Sequence, residues 1–100
     1  MKTYIIMRRR GWTAPDEAQA AGARSKAEGD KMADDIRWIR SYALAESDGS
    51  IGTLCVYQAT SEDALREHSS LADIHLDEII EVADTVVVRP DPAQPVGATS

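Results

Sequence analysis

Residues 2–8, Lys-Thr-Tyr-Ile-Ile-Met-Arg, gather β-branched and aromatic side chains into a short run and predict a first strand that stops by Gly11. Thr13, with Pro15 and Asp16 behind it, predicts a helix start, and the helix runs to about Met32. Ala18, Ala21, Gly22 and Ser25 fall on one side of it and are small enough for close approach to a sheet, while Gly22 and Gly29 weaken it intrinsically. From Ile36 to Ala45 the alternation of a strand returns, with Trp38 and Tyr42 predicted on one face and Ile39, Ser41 and Ala43 on the other. The turn cluster Ser47-Asp48-Gly49-Ser50 leads into a further strand over residues 51–59, where Cys55 and Tyr57 face opposite to Leu54 and Val56.

Thr60 and Ser61 can each cap a second helix, since a 3.6-residue period follows them. Its predicted apolar stripe is Ala64, Leu65, Leu71 and Ala72, with His68 inside the stripe and Glu62, Arg66 and Ser69 on the charged face. Ile80 to Arg89, containing Thr85-Val86-Val87-Val88 and stopped by Pro90, predicts the last strand. Residues 91–100 are proline, glycine and small polar residues apart from Val96, which predicts a disordered C-terminal tail behind one domain over residues 1–90.

The order strand-helix-strand-strand-helix-strand is that of the α+β ferredoxin-like class: βαββαβ, a four-stranded antiparallel sheet with both helices on one face. The opposite face then needs a cover, because apolar or aromatic groups occupy both faces of most strands, Tyr4, Ile6, Trp38, Tyr42 and Tyr57 among them. A second copy placed sheet against sheet is the simplest cover. That arrangement predicts a homodimer of the dimeric α/β-barrel type, able to enclose a cavity.

Composition narrows the partners. A chain of 100 residues has a thin stability margin, and its 43% hydrophobic content includes much alanine and no phenylalanine. Seventeen acidic against eleven basic side chains give a net charge of -6, which argues against nucleic acid and anionic membranes as partners. One cysteine, Cys55, and no apolar leader before the first strand predict a cytoplasmic protein, and no apolar run approaches the roughly 20 residues needed to span a bilayer. No phosphate loop, zinc ribbon, nucleotide fingerprint or nucleophile elbow is present, so no nucleotide cofactor is expected.

His68 is the sharpest chemical feature, since an imidazole on the inward side of a helix is either bonded within the core or presented to a ligand or metal. The core role is the commoner of the two. His75 lies two helical turns on, and the absence of Gly and Pro between them permits a helix with both rings on one side; Glu67, Asp73 and Glu78 are further oxygen donors. Two imidazoles with carboxylates suit Ni(II), Zn(II) or Cu(II) by ligand type, although the spacing is a loose motif. Cys55 reads as a small buried residue rather than a nucleophile. Tyr42 and Tyr57 read as cavity-lining or interface groups, and the Arg8-Arg9-Arg10 run as a solvated strand end or an anion contact.

Three segments carry a resemblance: Trp38-Ile39-Arg40-Ser41-Tyr42, Cys55-Val56-Tyr57 and Glu62-Asp63-Ala64-Leu65-Arg66-Glu67-His68. Over roughly residues 2–89 the chain resembles a family of small bacterial proteins of uncharacterised role, one streptomycete member of which is a nickel-binding, dimeric ferredoxin-like protein. The resemblance implies a homodimer and puts forward His68, the histidine of the Arg-Glu-His segment, for Ni(II) or another divalent metal. After that segment the chain departs from the family pattern and reads Leu71-Ala72-Asp73-Ile74-His75-Leu76, which introduces His75. The first expectation is therefore a metal-binding homodimer with His68 and His75 as ligands. The alternative is a small-molecule enzyme, a cofactor-independent isomerase, cyclase or monooxygenase, with His68, Tyr57 and Tyr42 as its catalytic groups and Trp38, Tyr42, Cys55 and Tyr57 lining its cavity. A third reading makes His68 a core residue.

Overall fold

The computed structural model describes residues 1–90, so the predicted tail over residues 91–100 lies outside the described part. Its elements are β1 (Lys2–Trp12), α1 (Pro15–Lys31), β2 (Ile36–Ala45), β3 (Ile51–Ala59), α2 (Glu62–Leu71) and β4 (Glu78–Glu81). The four strands form one sheet in the order β2-β3-β1-β4, with all neighbours antiparallel. This is the ferredoxin-like arrangement predicted above.

Local chemistry sets the helix starts. Pro15 opens α1 with its φ already fixed near the helical value, and Ala14 before it is extended and gives no side-chain cap. The Thr13 hydroxyl instead donates to Glu17. Ser61 caps α2, its Oγ accepting from the Ala64 N–H at 3.1 Å. The helix ends at Leu71, two residues before Asp73, which sits at φ 55° in the left-handed region.

The core lies between the helices and one sheet face. Tyr4, Ile6, Ile36, Cys55, Tyr57, Ala59, Ala64 and Leu65 build it, with Met32, Leu76 and Ile79 against its margin. Tyr4, Ile6 and Tyr57 thus belong to the helix-covered face and not to the open one. Trp38 joins them because a bulge at Ile39 shifts the register: Trp38 pairs with Tyr57 and Ser41 with Cys55, while Tyr42 pairs with Leu54. Alternation read without the extra residue places Trp38 and Tyr42 together; the bulge puts them on opposite faces.

Two other expectations change. Leu71 is exposed and Ser69 is buried on α2, so the inward stripe is Ala64, Leu65, His68, Ser69 and Ala72. The last strand, Glu78–Glu81, is far shorter than Ile80–Arg89, because among the described residues β1 is the strand it pairs with. The Val82 N–H makes a final bond to the Thr3 carbonyl, and β1 begins one residue earlier at Lys2. Val86, Val87 and Val88, for all their strand propensity, find no strand to pair with and stay exposed. No helix among the described residues is long and apolar enough to cross a membrane.

Candidate functional site

α2 carries His68 into the interior, where the side chain is fully buried. Its Nε2 lies 2.8 Å from the Ser25 carbonyl on α1, an acceptor, so Nε2 carries the proton. Nδ1 is left with a lone pair and, buried as it is, has no hydrogen-bond partner. The ring is tilted against Tyr57, with centroids 5.7 Å apart, and Tyr57 stacks in turn on Trp38 at 6.1 Å. Burial is the main force on the imidazole and lowers its pKa; the nearby Arg8 charge acts in the same direction, against the Ser25 bond and Glu28. The Tyr57 hydroxyl shares a 3.0 Å bond with Ser25 Oγ, and burial raises its pKa.

His75 occupies a different place. Because α2 stops at Leu71, His75 falls in the turn before β4, exposed, with its ring tilted against Trp12. Its Nε2 is 3.2 Å from the Arg9 carbonyl and 3.4 Å from Asp77 Oδ2. Each imidazole therefore gives Nε2–H to a main-chain carbonyl and keeps Nδ1 as its open donor. Their rings rest on different groups: that of His68 on Ser25, Gly29 and Tyr57, that of His75 on Gly11, Arg9, Trp12 and Asp77, although Arg8 lies near both residues. Among the described residues no group of three or more His, Cys, Asp or Glu side chains is placed to hold a metal ion. One chain supplies separate donors and does not close a metal site by itself.

The predicted cavity residues divide among three spaces. Trp38 and Tyr57 line one of about 500 Å³ beside Gly29 and Ile36, while Trp38 and Cys55 line another of about 260 Å³ under α1. Tyr42 lines a groove of about 750 Å³ on the open sheet face, together with Ile5, Val56 and residues 84–90.

Arg8 was legible only as part of a charged run, yet it is 2% exposed. Its Nε donates to the His75 carbonyl at 2.9 Å, Nη2 to Ser69 Oγ at 2.8 Å and Nη1 to Cys55 Sγ at 3.6 Å. Ser41 Oγ also donates to that sulfur at 3.0 Å and receives the Trp38 Nε1–H at 2.7 Å. The alternation Tyr4, Ile6, Arg8 on the inward face was the available signal. Sequence neighbours of Cys55 are not basic, whereas the fold sets a guanidinium 47 positions away beside it.

A βαββαβ sheet with both helices on one face defines a small ferredoxin-like α+β protein. The model of the SCO4226-like family, described as nickel responsive protein SCO4226-like, matches residues 4–82, and the chain belongs to that family. No curated protein matches. Among solved structures, SCO4226 from Streptomyces coelicolor A3(2) is 20% identical, with a TM-score of 0.66 over 84% of this chain and 99% of that one. Rv0793 from Mycobacterium tuberculosis is 16% identical, with a TM-score of 0.40 over 89% of this chain and 100% of that one. The first likeness supports the fold.

Proposed function

We propose that the protein is a homodimer that binds Ni(II) or a similar divalent transition metal. The observation that carries this reading is membership of the nickel-responsive family across residues 4–82. His68 and His75 are the proposed nitrogen donors, and they differ in access. His75 is an exposed residue, so a metal ion reaches it more readily than the enclosed His68, and a second chain can add donors to it. The pinning of Nε2 on a main-chain carbonyl, which fixes the tautomer and the ring, is the support that ligating histidines commonly have. His68 has the same support, but its Nδ1 is enclosed, and a metal reaches it only when α1 and α2 part.

Calorimetric titration of untagged protein with Ni(II), Zn(II) and Cu(II) tests the reading. Binding by the wild type that weakens in His75→Ala and persists in His68→Gln supports His75 as the accessible ligand. Equal affinity in wild type and His75→Ala overturns that assignment, and no binding by the wild type overturns the metal reading itself.

A further inference from the structure

The chemistry around Arg8 lies outside the proposed metal donors. A guanidinium removed from water is costly unless an anion accompanies it. The three groups that bond Arg8 are a carbonyl, a hydroxyl and a sulfur, and none is a carboxylate. Of its five N–H donors these bonds take three, which leaves one N–H on each terminal nitrogen for an anion to accept.

The 260 Å³ cavity opens against this group. Thr53, which pairs with Arg8 across β1 and β3, lines the same space, and its Oγ1 is buried with no hydrogen-bond partner. The remaining wall is mostly apolar: Trp12, Trp38, Ala21, Ala43 and Ile74. The small residues of α1 keep the space open, since a Cβ added at Gly22 meets nothing within 4 Å.

We infer that this cavity is a binding site for a small organic carboxylate with an apolar body. Its carboxylate pairs with the Arg8 guanidinium, Thr53 Oγ1 donates the second polar contact, and the body rests between Trp12 and Trp38 under α1. The space is smaller than the roughly 300–1,000 Å³ of drug-sized sites, which limits the ligand to a single ring or a short branched chain. An inorganic anion satisfies the charge but leaves the apolar walls unfilled.

The test uses full-length protein stripped of metal on a chelating resin, so that its result is independent of the metal reading. Benzoate, isovalerate and 2-methylbutyrate are titrated by calorimetry beside benzyl alcohol and inorganic phosphate. The expected result is saturable binding of at least one carboxylate, about tenfold or more tighter than benzyl alcohol or phosphate. Gly22→Leu, which fills the cavity and strengthens the helix, is expected to keep the wild-type circular dichroism and lose the carboxylate. Arg8→Met is expected to lose it too, but Gly22→Leu decides the matter if Arg8→Met does not fold. No binding of any of the three carboxylates, phosphate binding as tight as theirs, or undiminished binding by folded Gly22→Leu overturns the proposal.

Discussion

His68 hangs from the Ser25 carbonyl by a 2.8 Å bond through Nε2, and this contact joins α2 to α1 across the interior. It is a helix-to-helix bond made by a titratable group, so the packing of the two helices depends on pH.

The sign follows from the lowered pKa. An unfolded histidine titrates near 6.5, while burial keeps the folded imidazole neutral to lower pH. Between those values the unfolded chain binds the extra proton. The contribution is full above pH 6.5 and is lost as pH falls from there through the folded pKa. Urea unfolding of wild type and His68→Gln at pH 7.5, 6.5 and 5.5 checks it. The wild type is expected to lose more stability than the variant on this descent, and parallel losses would remove His68 as the cause.

Glu46 gives a second, more acidic window. Arg9 bonds its carboxylate with Nη2 at 2.8 Å and Nε at 2.9 Å, the Arg10 N–H adds a further bond, and these hold its pKa at about 2 against a usual 4.5. A depressed carboxyl contributes stability above its unfolded pKa and loses it as pH falls through the folded one, here from 4.5 towards about 2. Glu46→Gln is expected to have a shallower acid descent over that range in thermal melts. A descent equal to that of the wild type contradicts the role.

The order of elements was legible because strand and helix periods alternate cleanly from Lys2 to Leu71. The position of Trp38 was not, since one bulged residue at Ile39 reverses every face assignment before it, and nothing in Trp38-Ile39-Arg40 marks the bulge. Strand propensity misread Val86–Val88 for a different reason: a strand needs a neighbour, and β1, which runs antiparallel to β4, begins only at Lys2. His68 was legible as an inward residue on its helical stripe. The Arg8–Cys55–Ser69 cluster joins β1, β3 and α2, so only the sheet register brings its members together.

Two glycines of opposite consequence test the backbone. At Gly52 an added Cβ falls 2.7 Å from the Arg8 carbonyl, a backbone atom, so Gly52→Ala must displace β1 and is expected to cost about 1–3 kcal/mol. At Gly22 the space is free and the helix gains propensity, so Gly22→Ala is expected to add about 0.5–1 kcal/mol. Thermal melts of the two variants should shift in opposite directions; a stabilised Gly52→Ala would show that β1 gives way more easily than its bonds to β3 imply.

The open sheet face presents Ile5, Ile39, Tyr42 and Val56, and Val86–Val88 stand beside it without strand partners. Tyr42 remains on this face and the bulge brings Ile39 to it, whereas Trp38 and Tyr57 lie on the other, so the need for a cover rests on fewer aromatics than the sequence suggested. A solvated antiparallel face is normally polar at alternate positions, and this one is not. A second copy laid on it fills the 750 Å³ groove and gives the unpaired valine segment an edge to bond. A stable two-fold contact of ordinary size takes about 800 Å² from each partner, which an area of four strands can supply. Sedimentation equilibrium at micromolar concentration is expected to give a dimer for the wild type and a monomer for Ile5→Glu, with Val87→Asp weakened in between. A wild-type monomer under these conditions removes the proposed homodimer, and with it the route by which a second chain brings donors to His75.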